Sequence, residues 1–169
     1  MLNCTKCELH KTRTKVVVGV GNSNANVVLV GECPGPEEDK VGIPFIGKAG
    51  KLLRSVLDSI GVSTENVFIT NIVKCFPYKS LNPDTEHVEA CAPYLDNQLS
   101  EIQPNLIVSL GRYSSQYFLG KISITRETGK VRLVGDRYIL PVVHPSYVMR
   151  GNKTLGQYAI ELIPMLEFI

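Results

Sequence analysis

Four cysteines carry the first chemical signal in this chain. Cys4 and Cys7 form a C-x2-C pair, and Cys75 and Cys91 follow well downstream. Two thiolates at that close spacing can reach one centre from a single turn, which favours a metal site over a chance pair. A zinc ribbon expects a second close pair, which is missing here. Four spread thiolates suit either zinc or a [4Fe–4S] cluster, with the balance tilted slightly to iron–sulfur. On spacing alone, Cys75 and Cys91 can also be read as small buried hydrophobes. Cys33 stands apart in Gly31-Glu32-Cys33-Pro34-Gly35, a rigid turn in which a thiol lines a pocket rather than binds metal.

Three polar residues, Glu32, Asn71 and His144, each follow an apolar run, and those runs are the elements that must position them. Asn26 to Val30 and Leu106 to Leu110 read as strands buried on both faces, each halted by glycine. Asn66 to Thr70 reads as another strand. Lys130 to Val134 and Tyr138 to Val142 flank Gly135-Asp136 as a hairpin or as two neighbouring strands. Helices are expected from Gly50 to Ile60, Asp84 to Ile102, around Tyr113 to Leu119, and from Leu155 onward. Strands alternating with helices predict a three-layer α/β/α sandwich around a central, mainly parallel, four-stranded sheet. Ligands bind such sheets at the carboxyl ends of the strands. Glu32, Asn71 and His144 all fall there.

A length of 169 residues suits one domain, 1–169, and the 44% hydrophobic and 20% charged fractions are those of an ordinary globular protein. No apolar run approaches the ~20 residues of a membrane span. Met1-Leu2-Asn3-Cys4 opens no signal-peptide core, so a cytoplasmic protein is expected and a disulfide framework is not. The net charge of +2 does not by itself announce a nucleic-acid binder. Lys6, Lys11, Arg13 and Lys15, or Lys121, Arg126, Lys130, Arg132 and Arg137, could each form a phosphate-facing patch or an ordinary solvated surface.

Together these motifs resemble the family 4 uracil-DNA glycosylases, the thermostable iron–sulfur branch of that superfamily, over nearly the whole chain. Cys4-Thr5-Lys6-Cys7-Glu8-Leu9 with Arg13 is similar to the family's opening cluster motif. Gly31 to Asp39 and Gly42 to Gly50 resemble its first active-site motif and uracil-stacking loop. Asn71-Ile72-Val73-Lys74-Cys75 resembles the uracil-reading segment, and His144-Pro145-Ser146 with Arg150 the closing motif. The resemblance implies hydrolysis of the bond between uracil and deoxyribose, with a [4Fe–4S] cluster on Cys4, Cys7, Cys75 and Cys91. It implies stacking by Phe45, a wall at Glu38 against the thymine methyl, and catalysis by Glu32 and His144. Gly31 and Cys33 would shape the pocket floor, where relatives with an aspartate base place it at the Cys33 position. Ser146, Val148, Met149 and Arg150 would contact DNA, Val148 or Met149 as a wedge in the gap the base leaves.

The chemistry agrees with the resemblance. A flipped base is held by stacking and by its Watson–Crick edge. The Asn71 amide offers a donor to uracil O4 and an acceptor to N3–H, whereas cytosine presents the opposite pattern. Glu37 and Asp39 read as a solvated acidic turn. The implied partner is uracil-containing DNA, bound by a monomer away from any membrane; a sliding clamp is a further partner the residues do not specify.

Three rivals are weaker. Gly42 to Ala49 nearly spells a P-loop, but Ala49 replaces the Mg²⁺-binding hydroxyl and the run does not leave a strand directly. A cross-linking relative would carry a histidine in a basic insertion beyond Asn71, and Phe76 to Pro83 has none. A structural zinc-binding DNA module would give a colourless protein. In the cluster reading, Cys75→Ser should lose iron and much of its stability, while Cys33→Ala should keep its iron, measured by metal analysis. Iron loss in Cys33→Ala would contradict the assignment.

Overall fold

The computed structural model describes all 169 residues. Six strands form one sheet: β1 (Val20–Gly21), β2 (Val27–Gly31), β3 (Val67–Asn71), β4 (Leu106–Leu110), β5 (Arg132–Val134) and β6 (Arg137–Val142). Their spatial order is β1-β3-β2-β4-β6-β5. The four inner strands are parallel, and β1 and β5 add antiparallel edges. The sheet thus exceeds the expected four strands by its two short edges: β5 lies within the Lys130 to Val134 run, while β1, two residues long, is too brief to show an alternating pattern. Of the two arrangements open for Lys130 to Val142, the hairpin is the one formed.

Seven α-helices complete the chain: α1 (Pro36–Val41), α2 (Lys48–Ser59), α3 (Thr85–Ile102), α4 (Arg112–Leu119), α5 (Ile124–Glu127), α6 (Pro145–Met149) and α7 (Leu155–Leu162). Asp84 caps α3 by accepting the His87 N–H at 3.0 Å. No helix is long and apolar enough to cross a membrane.

Strand alternation builds the two apolar layers. Val27 and Leu29 of β2 join a core with Leu53, Val56 and Leu57 of α2 and Tyr158 and Leu162 of α7. Val28 and Val30, on the opposite face, pack with Leu95 and Leu99 of α3. β2 is therefore buried on both sides, which is why its sequence is a continuous apolar run. The chain passes from β2 to β3 on one side and then to β4 on the other, leaving a crevice at the carboxyl ends where the direction reverses.

Helix α1 corrects half of the reading of Glu37 and Asp39 as a solvated turn: Glu37 is exposed, but Asp39 is not. Glu38 and Asp39 are buried. Both Asp39 carboxylate oxygens accept the Thr14 N–H, at 2.9 and 3.0 Å, pinning the N-terminal segment to α1. Charge-assisted bonds of this kind are worth roughly 1.5–3 kcal/mol. Asp39→Ala should therefore lower stability by about 1–3 kcal/mol in chemical denaturation. A variant as stable as the parent would show that this anchor is idle.

Candidate active site

The ends of the four parallel strands open onto one cavity of 570 Å³. Glu32 and Cys33 reach it from the loop after β2, Asn71 from the end of β3, Arg112 and Tyr113 from the start of α4, and His144 from the loop after β6. Glu38, Phe45 and Gly47 close another wall. Backbone bonds fix the first two loops against each other: the Ile72 N–H donates to the Gly31 carbonyl and the Val73 N–H to the Glu32 carbonyl, both at 3.0 Å.

Phe45 is held by a strained loop. Its φ of 54° is left-handed, a region a non-glycine residue enters only when its surroundings enforce it. Arg54 Nε donates to the Phe45 carbonyl at 3.3 Å, and Glu38 accepts the backbone N–H groups of Ile46 and Gly47 at 2.9 and 2.8 Å and that of Gly35 at 3.2 Å. A side chain at Gly50 would strike the Phe45 carbonyl, its Cβ coming to 1.9 Å. A Cβ at Gly31 would meet Asn71 Oδ1 at 2.4 Å and the Phe45 ring at 2.5 Å, so glycine there keeps the amide and the ring together.

His144 is N-cap of α6, with Pro145 in the first turn. The Ser146 N–H donates to His144 Nδ1 at 3.2 Å, so that nitrogen carries no proton and the neutral ring holds its hydrogen on Nε2. Burial, then the nearby Arg150 cation, pull its pKa down to about 4. The ring is therefore a neutral Nε2–H donor at physiological pH. It stands 6.1 Å from the Phe45 ring, centroid to centroid.

Two oxygens in this cavity are buried without a hydrogen-bond partner, Glu32 Oε1 and Asn71 Oδ1. Burial pushes the Glu32 carboxyl up to about 7, against the pull of Arg112. Burial likewise pushes the Cys33 thiol upward, which makes it a poor nucleophile and leaves it a shaping residue.

The loop after His144 departs from its sequence reading. Val148, expected among the DNA-contacting residues, is buried in the main core and is unable to serve as a wedge. Met149 is the exposed apolar residue there, at 45%. The Ser146 hydroxyl lies 2.8 Å from His144 Nδ1 and accepts from Arg150 at 3.4 Å, and both residues line the cavity. Arg54, Arg112 and Tyr113 went unnoticed in the sequence; only the position of Arg112-Tyr113 directly after a strand-ending glycine could have signalled them.

Cys4, Cys7, Cys75 and Cys91 converge away from the cavity, from the N-terminal segment, the stretch after β3 and helix α3. Burial first, and then neighbouring cysteines, push three of these thiols up: Cys7 beside Cys4, Cys91 beside Cys7 and Cys4, and Cys75 beside Cys91 and Cys7; Cys33 is raised by burial, Glu32 and Glu38, with none of the four beside it. Arg13 donates to Cys75 Sγ and the Lys6 N–H to Cys4 Sγ, both at 3.5 Å. No three His, Cys, Asp or Glu side chains stand where they could hold a single metal ion.

Comparison with known proteins decides the family. A profile of the uracil DNA glycosylase superfamily matches residues 18–166. A type-4 uracil-DNA glycosylase of Saccharolobus solfataricus is 47% identical over 85% of this chain and 71% of its own length. Those of Archaeoglobus fulgidus and Thermotoga maritima are 45% and 44% identical, over 94% and 89% of this chain and 84% and 80% of theirs. This chain belongs to the type-4 uracil-DNA glycosylases. The resemblance drawn from its motifs is therefore correct.

Glu32 makes this glycosylase's stability depend on pH. The native carboxyl keeps its proton up to about pH 7, whereas an exposed one releases it near 4.5. Between those values the native state binds more protons than the unfolded one, so stability falls as pH rises through the window. Glu32→Gln should remove that slope and melt higher than the parent at pH 8, as read by thermal denaturation across pH. Parallel melting curves for the two proteins would mean that Glu32 is not desolvated.

Proposed function

We propose that this chain excises uracil from DNA by hydrolysing the N-glycosidic bond, leaving free uracil and an abasic site. The observation that carries this reading is a single cavity holding an aromatic ring, an unpaired amide oxygen, a neutral imidazole donor and an unpaired carboxylate oxygen. A flipped uracil stacks on Phe45, gives its N3–H to Asn71 Oδ1 and receives the amide N–H at O4. Cytosine has no N3–H and carries an amino group at that carbon, so the same amide meets it with the wrong polarity. Glu38, fixed by its three backbone donors, forms the wall against the thymine methyl.

Bond cleavage sends the electron pair to uracil N1 and its conjugated O2, and leaves positive charge on the sugar. His144 Nε2–H donates to O2 as that charge grows, in the manner of an oxyanion hole. The ionised Glu32 carboxylate stabilises the sugar cation and orients water; the hydroxyl joins C1′ and the proton passes to the carboxylate. Ser146, Met149 and Arg150 contact the DNA around the pocket mouth, Arg150 as a phosphate partner.

The cysteines fit an iron–sulfur group. Cys4, Cys7, Cys75 and Cys91 are free thiols that converge, and Cys4 and Cys75 receive donors at sulfur, as thiolate ligands do. A single zinc would draw four sulfurs to about 3.8 Å of one another, given ~2.3 Å bonds. Four cysteines drawn from three segments are equally the ligand set that a [4Fe–4S] cluster takes, one cysteine to each iron. Such a cluster would supply cross-linking, tying the N-terminal segment to the stretch after β3 and to α3.

The direct test is release of free uracil from an oligonucleotide containing one uracil, with thymine and cytosine controls. His144→Ala should lower kcat ~10²–10³-fold, about the worth of one oxyanion-hole donor, with binding of the uracil-containing DNA nearly intact. Full kcat with weakened DNA binding would instead reduce His144 to a docking residue.

A further inference from the structure

Lys74 is a lysine in an otherwise apolar segment, Ile72-Val73-Lys74-Cys75, and its side chain is only 1% exposed. An ammonium is costly to bury unless it is paired, and no carboxylate lies within ion-pair distance of this one. Its three N–H groups meet three neutral oxygens instead: Thr70 Oγ1 at 2.7 Å, the Asn71 carbonyl at 2.7 Å and Gln98 Oε1 at 2.6 Å. Donors and acceptors match one for one.

The acceptors are themselves anchored. The Thr70 hydroxyl and Gln98 Nε2 both donate to the Val18 carbonyl, at 2.8 and 2.9 Å. The Lys74 carbonyl accepts the Val17 N–H at 2.8 Å. One side chain thereby joins the end of β3 to α3 and to the segment before β1.

The place of this network gives it a purpose. β1 pairs with β3 only at Phe68 and Ile69, so past Ile69 the last two residues of β3 have no strand neighbour on that side. Those residues are Thr70 and Asn71. An amide that reads two atoms of a base must be held within a fraction of an ångström, which an unsupported strand end does not guarantee. A methionine of similar length would fill the same space without burying charge.

We propose that Lys74 is a positioning residue for Asn71: its ammonium grips the Asn71 carbonyl and replaces the missing strand partner, so that the amide faces the base. The proposal rests on the reading of Asn71 as the uracil-contacting side chain.

The test introduces Lys74→Met into the parent and into an Asn71→Ala background, with single-turnover excision from uracil-containing DNA, iron content and melting temperature measured for each protein. In the parent background Lys74→Met should lower the excision rate ~10–100-fold and shrink discrimination between uracil and cytosine. In Asn71→Ala the same change should cost less than about threefold, because residues acting through one another are non-additive. Equal losses in both backgrounds, or parent-like activity in Lys74→Met, would overturn the proposal. Should Lys74→Met fail to fold or lose iron, Gln98→Leu removes one acceptor from outside the cysteine segment. It should show a smaller loss with the same dependence on Asn71, and a loss independent of Asn71 overturns the proposal equally. A parent protein that releases no uracil would sink the functional reading and this proposal together; an active parent with additive losses sinks this proposal alone.

Discussion

A buried oxygen without a donor costs about 1–3 kcal/mol, and this fold keeps two of them on one cavity, Glu32 Oε1 and Asn71 Oδ1. Neither oxygen can relax to find a partner. Asn71 ends β3 and Glu32 directly follows the adjacent parallel β2, and the continuations of the two strands are stitched by the Ile72 and Val73 N–H groups. Packing removes the remaining slack, since Gly31 brings Asn71 and Phe45 to distances that leave no room for a methyl group. The unmet hydrogen bonds are thus directed at whatever enters the cavity, and a base with an N3–H satisfies one of them on entry.

The same logic separates the ionisable groups. One burial effect works in opposite senses on an acid and a base: it lifts Glu32 to about 7 and lowers His144 to about 4. At neutral pH the cavity holds a partly ionised carboxylate and a neutral imidazole whose proton is fixed on Nε2 by the Ser146 N–H. Departure of an anionic base from a cationic sugar needs that pair of opposite environments. Cys4, Cys7, Cys75 and Cys91 do not line this cavity, but Cys75 is four residues beyond Asn71 in the same segment. A clip at Cys75 and the Lys74 grip would both stabilise the segment that carries the reading amide.

The inner sheet was legible in the sequence because strands buried on both faces become unbroken apolar runs bounded by glycine. The strand-end placement of Glu32, Asn71 and His144 followed from that alone. Helix α1 was not legible: its first turn is acidic, which suits a helix N-terminus but reads as a solvated turn. The burial of Asp39 depends on the Thr14 backbone, and no local pattern reports a contact across that separation. Val148 was misplaced for a similar reason, since five-residue α6 is too short for its sequence to show which face meets the core. Lys74 stood in plain view within the uracil-reading motif, yet its partners come from three elements and emerge only when these pack together.

The central claim is that the two strands' ends leave an amide oxygen waiting for a base. A crystal structure with free uracil bound tests it most directly. The account predicts the base stacked on Phe45, its N3–H on Asn71 Oδ1 and its O2 facing His144 Nε2. Uracil bound elsewhere, or in the cavity with Asn71 Oδ1 still unpaired, would contradict it.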